Sequence, residues 1–204
     1  MQEKRAHFEK IAQDWDAMQS PERPQDVRVM LSSHLPLIRQ STRILEIGTG
    51  TGLLISMLQA LAPQAYLISV DLAHAMLLCA QVKYPQASLL QADACHLPFA
   101  RDNHLETKFD LMVCHNTFPH FQDPLQALAS MKEKLRPGGR VLILHDRSRL
   151  TVNALHQRIG GAIGEDLLPA AADLHALIEQ AGLACLAVED GLECFHAIGR
   201  RPQE

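Results

Sequence analysis

Between residues 42 and 146, short apolar runs alternate with stretches of helical pattern, and few folds accommodate that order. The runs are "TRILEI", "AYLISVD", "ASLLQAD", "FDLMVCH" and "RVLILHD". Between them lie "GLLISMLQAL", which sets Leu53, Leu54, Met57, Leu58 and Leu61 on one helical face, then "AHAMLLCAQV" and "PLQALASMKEKL". Strands that are apolar throughout need cover on both faces, and the intervening helices supply it. The expected class is α/β, with a doubly wound, mostly parallel sheet. "RPGG" at 136–139 reads as a helix stop and turn. Ahead of the first strand, "HFEKIAQDWDAM" carries Phe8, Ile11, Ala12 and Trp15 at helical spacing; "SPERPQD" breaks it, and more helix runs to about Leu37. After strand five, "DLHALIEQAG" reads as helix. Two further runs, "LACLAVE" and "LECFHAIGR", flank Asp190-Gly191, a hairpin signal that adds an antiparallel C-terminal strand to a sheet of seven.

Composition removes several classes of function. A chain of 204 residues makes one ordinary domain, and a net charge of −4 gives no long-range pull toward nucleic acid or anionic membrane. No window is apolar enough to span a bilayer, and "MQEKRAHFEK" is unlike a signal peptide, so no stable membrane insertion and a cytoplasmic location are expected. The five cysteines are odd in number and lack CxxC spacing. They read as reduced, mostly buried thiols rather than a disulfide framework or zinc knuckle.

Directly at the end of the first strand stands "EIGTGTG", residues 46–52. Glycines there require a sharp turn or a close approach of backbone to a ligand. Gly48, Gly50 and Gly52 spell GxGxG rather than the GxGxxG of dinucleotide sites, and no Lys-Ser/Thr follows to make a P-loop. Asp71, ending the second strand, suits a ribose diol. Glu46 would repel a phosphate but suits a cationic ligand.

"ILEIGTGTG", Asp71 in "LISVDLAHAML", "QADACHLPF" at 91–99, "FDLMVCHNTFPHFQDP" and "LRPGGRVLIL" occur in an order that resembles the class I S-adenosylmethionine-dependent methyltransferases. The resemblance runs from about Phe8 to Gly199. It is strongest to the small-molecule branch that includes ubiquinone and menaquinone biosynthesis enzymes, where an N-terminal "F…A…WD" helix is common. It implies a Rossmann-like doubly wound sheet in a single domain, 1–204. Within it, 1–37 form an N-terminal helical cap, 41–146 the cofactor-binding half, and 147–204 the substrate-side helices and hairpin. The implied cofactor is S-adenosyl-L-methionine and the partner a small-molecule acceptor; homodimerisation is left open. By the same resemblance, backbone at Gly48, Thr49, Gly50 and Gly52 approaches the methionine tail, with Glu46 near its ammonium. Asp71 takes both ribose hydroxyls, Leu72 covers the adenine face, Asp93 takes the adenine amino group, and the Ala94 N–H its ring nitrogen. Cys114 and His115 end the fourth strand at the crevice edge. A nicotinamide-dependent oxidoreductase and a non-catalytic S-adenosylmethionine-binding protein are the rival readings.

The acceptor side rests on histidines. Methyl transfer from a sulfonium is an in-line displacement helped by orientation, and a base is needed only where the nucleophile carries a proton. His115, His120, His145 and His156 fall near the ends of strands four and five. His145 and His156 are the catalytic candidates, with Asp146 available to raise the basicity of His145; His120, Arg147 and Asn153 are candidate substrate contacts. An anion-binding pair, Arg147 and Arg149, or a His/carboxylate metal site are further functional readings of this cluster; a helix cap at Asp146 or Ser148 with surface arginines is the structural one. No metal is assigned, because no tight His-x-x-x-His pair is present. Aromatic residues are only 4% of the chain, which argues against an aromatic-lined pocket. "GGAIGEDLLP" at 160–169 is glycine-rich enough to flex over the site, or to be a plain connecting loop. Two departures from the family, a long "DNHLETKFD" before strand four and His115 at a position usually small and polar, count against a quinone-type substrate.

Overall fold

The computed structural model describes residues 2–99 and 108–203. Seven strands, β1 (Arg43–Ile47), β2 (Tyr66–Asp71), β3 (Ser88–Gln91), β4 (Phe109–His115), β5 (Leu135–His145), β6 (Ala184–Asp190) and β7 (Phe195–Arg200), form one sheet in the order β3-β2-β1-β4-β5-β7-β6. The first five run parallel, and β7 lies antiparallel between β5 and β6. The helices are α1 (Gln2–Ile11), α2 (Arg23–Ser32), α3 (Leu35–Gln40), α4 (Ile55–Leu61), α5 (His74–Lys83), α6 (Pro124–Lys134), α7 (Arg149–Ile159) and α8 (Ala171–Gln180).

Alternation along the strands divides the core between two faces. Ile44, Leu111, Val113, Leu142 and Leu144 pack with Val27, Leu31, Ile38 and Leu58 from α2, α3 and α4. Leu45, Met112, Cys114, Val141 and Ile143 pack with Leu128, Met131, Leu174 and Ile178 from α6 and α8. Both faces are covered, as the apolar strand pattern requires.

Two local expectations change and one is refined. α6 stops at Lys134, and 136–139 turns as expected, with Gly138 at φ 77°, but the turn lies inside the start of β5 as an irregularity in its register with β4. The Gly138 N–H donates to the Arg201 carbonyl at 3.0 Å and the Arg201 N–H to the Gly139 carbonyl at 2.8 Å, and this pairing ties the segment to the C-terminal end of the chain. The first helix stops at Ile11, and residues 12–18 turn, which takes Trp15 off the helix. The terminal hairpin forms, but Asp190 pairs with Phe195 across a longer loop closed by Gly191 N–H donating to the Cys194 carbonyl. Most of "DNHLETKFD" lies outside the described residues. Among the described residues no helix is long and apolar enough to cross a membrane.

α1 contributes no buried residue, yet it is fixed to the domain. The Glu9 carboxylate accepts the N–H groups of His74 (2.8 Å) and Ala75 (2.7 Å) at the start of α5, whose own N-cap, Ala73, has no side chain to offer. A carboxylate from another helix thus caps α5. Burial works against the charge, but these N–H groups and Arg5 outweigh it and hold the carboxyl below its usual range. Glu9→Ala is expected to lower stability by about 1 kcal/mol in urea unfolding. That contribution is present above the ordinary glutamate pKa and is lost as pH falls through the lowered folded value, so wild type and variant should converge in acid.

Candidate functional site

Strand order reverses between β1 and β4, and ligands of open α/β sheets bind outside the carboxyl ends of the strands at such a point. A cavity of about 1060 Å³, counted to its open mouth, lies there. It is bounded by the glycine turn, the ends of β2 and β4, and the N-terminal segment.

The turn is fastened to β2. The N–H groups of Gly48 and Thr49 both donate to the Val70 carbonyl, at 2.8 and 3.0 Å, and the Gly50 N–H donates to Asp71 Oδ2 at 2.8 Å. Asp71 Oδ1 accepts the Ala73 N–H at 2.9 Å. Gly48 (φ 76°) and Gly50 (φ 55°) are both left-handed, but they do different jobs. A Cβ on Gly48 would run into the Thr117 side chain, so that glycine is needed for packing. Among the described residues, a Cβ on Gly50 would meet only Trp15 Nε1, at 3.9 Å, so this glycine opens backbone to the cavity. The Thr49 hydroxyl beside it is buried next to the Glu46 carboxyl.

Two carboxylates sit at the head of the cavity. Glu46 is 2% exposed and accepts the Ser69 hydroxyl at 2.6 Å. Burial pushes its pKa up to about 7 despite that hydrogen bond. Burial also raises Asp71, against the N–H groups it accepts. Leu72, Asp93 and Ala94 line the wall beyond Asp71, and Asp93 Oδ1 accepts the Cys95 N–H at 2.9 Å, capping a short 3-10 turn. Gly52 stands behind the turn against Tyr84, outside the lining. Cys114 is fully buried in the core and reaches no cavity surface; burial pushes its thiol up.

The structure redistributes the histidines. His145 shares the face of Val141 and Ile143, so strand alternation aims it at Phe195, with ring centroids 6.2 Å apart, and away from the cavity. It is 1% exposed, and burial, reinforced by His115, pushes its imidazole down to about 3. Asp146 does not attend it. Its carboxylate accepts Arg23 Nε at 2.8 Å and Asn116 Nδ2 at 2.7 Å, and Asp146 N–H returns a bond to Asn116 Oδ1. His115 Nε2, on the cavity wall, is 3.4 Å from Asp146 Oδ2 without hydrogen-bond geometry. Burial opposes the Asp146 charge, but His115 and Arg23 outweigh it and hold the carboxyl far below its usual range.

His156 and Asn153 also lie off the cavity. They grip the loop after α7: His156 Nδ1 donates to the Asp166 carbonyl at 2.5 Å. Asn153 donates to the Leu168 carbonyl at 3.1 Å and accepts its N–H at 2.7 Å. Arg147 is exposed, and Arg149 is paired with Asp190 at 2.6 Å, so the arginines do not converge. His120 does border the cavity, with Nδ1 2.8 Å from Asp166 Oδ2 and its ring between those of Phe8 (5.0 Å) and His156 (4.8 Å). Lys4 Nζ completes the group 2.5 Å from Asp166 Oδ1.

The low aromatic content is overturned as a guide to the pocket, because Phe8, Phe121 and Trp15, the one tryptophan, all line this cavity. Asp166, Lys4, Arg23 and Asn116 had no signal in the sequence; among the described residues no group of three His, Cys, Asp or Glu is placed to hold a metal.

Residues 45–143, from β1 to near the end of β5, match the family model described as a methyltransferase domain. A demethylmenaquinone methyltransferase from Thermus thermophilus is 37% identical over 114 residues, 54% of this chain and 50% of that protein. The biotin biosynthesis bifunctional protein BioHC from Cellvibrio japonicus is 28% identical over 183 residues, 88% of this chain and 35% of its own length. The chain thus spans half or less of these two relatives. A SAM-dependent methyltransferase structure from Aquifex aeolicus superposes with a TM-score of 0.70 at 18% identity, covering 93% of this chain and 98% of that one. Residues 45–143 are thus similar to a methyltransferase domain, and the chain shares the fold of a solved SAM-dependent methyltransferase.

Proposed function

We propose that this chain transfers a methyl group from S-adenosylmethionine to a small-molecule acceptor in the cavity at the β1/β4 edge. The observation that carries the reading is Gly50. Its N–H is held by Asp71 while its missing side chain leaves backbone facing an open, largely apolar space. The residues present fit the cofactor. Asp71 retains acceptor capacity on both oxygens for a ribose diol, Asp93 and Ala94 stand further along the wall for the adenine, and Glu46 lies nearest the turn for an ammonium. The buried Thr49 hydroxyl stands beside Glu46 as a further polar group on the wall. The bound cofactor supplies an electrophilic methyl on a cationic sulfur. The protein's part is to orient both reactants and keep water from the space between them. Five unpaired thiols suit a reducing compartment, and a cytoplasmic setting is part of the same proposal.

The test is calorimetry with S-adenosylmethionine, S-adenosylhomocysteine and NAD. The first two are expected to bind and NAD is not; the reverse order would overturn the reading. Because Glu46 titrates at about 7, cofactor binding at neutral pH should also move a proton. An ammonium favours the ionised carboxylate, so the proton is released, and affinity should strengthen as pH rises toward 7 and weaken again above about 8, where the ligand's α-amino group loses its own proton. Titrations in buffers of different ionisation heat would measure the release, and none would exclude Glu46 as the ammonium's partner.

A further inference from the structure

We propose that His120, aligned by Asp166, takes the proton of the acceptor, and that the acceptor brings its nucleophilic oxygen as a ring-borne O–H. The proposal rests on the methyl-transfer reading and adds to it the base and the class of acceptor.

Three elements that are far apart in sequence converge on His120, which ends the short turn Phe118–His120 after β4. The loop 160–169 delivers Asp166, whose Oδ2 lies 2.8 Å from His120 Nδ1. α1 delivers Lys4, which pairs with the other oxygen of Asp166 at 2.5 Å and donates to the His120 carbonyl at 3.4 Å. α7 fixes the loop itself through His156, a catalytic candidate in the sequence, and Asn153, a candidate substrate contact there. Burial works against the Asp166 charge, but His120 and Lys4 outweigh it and keep the carboxylate ionised. An ionised carboxylate can only accept, so Nδ1 carries the hydrogen. Nε2 then holds a lone pair, and no described residue hydrogen-bonds to it. The ring borders the cavity that also contains the glycine turn.

The charge state fits a base. Burial lowers the His120 pKa, and His156 and Lys4 add to the lowering, while Asp166 raises it. His120 is therefore neutral at physiological pH. The other titratable neighbours are His7 on α1, near Asp166, and His145 on β5, which is held neutral. When Nε2 takes a proton, the adjacent Asp166 carboxylate stabilises the resulting cation.

A base so placed has work only where a proton must leave. The acceptor's O–H bond gives its hydrogen to His120 Nε2, and the oxygen's electron pair forms the new O–CH3 bond. The S–CH3 bond breaks with its electrons left on sulfur, yielding a neutral thioether, an ether and imidazolium. Total charge is conserved at one positive unit. Phe8 and Phe121 flank the same part of the cavity as His120 and offer flat apolar faces to a ring.

Phenol and 4-nitrophenol, assayed at about pH 8.5, test this, because an ordinary phenol, with pKa about 10, reaches the site protonated whereas the electron-withdrawing nitro group leaves 4-nitrophenol largely ionised there. With saturating cofactor, His120→Ala is expected to cut phenol turnover about 100-fold while costing 4-nitrophenol less than about a tenth of that. Asp166→Asn should move the acid limb of the wild-type phenol pH profile to lower pH, since it removes the charge that raises the His120 pKa. Equal losses on both phenols would make the residue a packing element and overturn the proposal. So would a wild type that binds S-adenosylmethionine by calorimetry yet methylates neither phenol. No cofactor binding at all would instead sink the methyltransferase reading beneath it. Nitrogen NMR of histidine-labelled wild type requires no variant to fold. It should show His120 protonated on Nδ1 and bare on Nε2 at neutral pH, and the opposite tautomer would overturn the assignment.

Discussion

Replacing Gly50 by valine is expected to abolish S-adenosylmethionine binding in a protein that still folds. Gly50 sits at φ 55°, where a residue with a side chain costs about 1–2 kcal/mol, well inside the 5–15 kcal/mol of an ordinary domain. The branched side chain would project toward Trp15 Nε1, the only atom of the described residues that a Cβ there would meet, at 3.9 Å, and so into the cavity rather than into packed structure. Affinity should fall by about 100-fold or more, since the methyls occupy space the cofactor needs against backbone. The same change at Gly48 would collide with Thr117 and confuse the result with misfolding. Calorimetry gives the affinity, and a thermal melt shows that the fold survives. Normal binding would reduce the glycine turn to a purely structural role.

Asp71→Ala should weaken S-adenosylmethionine by about 2–3 kcal/mol, for two reasons that act together. It removes the acceptor proposed for the ribose hydroxyls, and it releases the Gly50 N–H and Ala73 N–H that the carboxylate now holds. Asp71→Asn separates the two reasons. An amide oxygen can keep one backbone N–H but cannot accept from every partner at once, so its affinity should fall between wild type and Asp71→Ala. Unchanged affinity in both folded variants would end the assignment of Asp71 to the cofactor.

The sheet was legible because its code is local. The central strands β1, β4 and β5 are apolar runs that send alternate residues to the two core faces, and α4 and α6 beside them carry buried apolar stripes. The cofactor side was legible for a similar reason, since Glu46 to Gly52 and Asp71 sit at strand ends that the sequence already marks. The acceptor side was not. His145 follows the alternation of its own strand into the core, and because β5 is buried on both faces its apolar run does not mark which face meets the cavity. Asp166 reaches His120 only because Asn153 and His156 hold the intervening loop in one shape, and no spacing between 120 and 166 encodes that. Trp15 has helical spacing with Phe8 and Ile11, but the chain turns at Ala12 and carries the ring to the cavity wall. Overall aromatic content misled because composition averages over the chain, whereas the N-terminal segment concentrates its rings at one mouth.

The place of β7 in the sheet sets a schedule for the growing polypeptide. β5 forms the sheet's outer boundary until residues 195–200 emerge and slot between it and β6. Before then, Val141 to Leu144 present unpaired N–H and C=O groups along a hydrophobic edge, the kind of template on which another chain can pair. α6 can cover one face of that strand early, but the edge itself waits for a partner more than fifty residues downstream. Completion of this sheet is thus a late and long-range event, and the half-built domain depends on prompt synthesis of the hairpin or on a chaperone to shield β5.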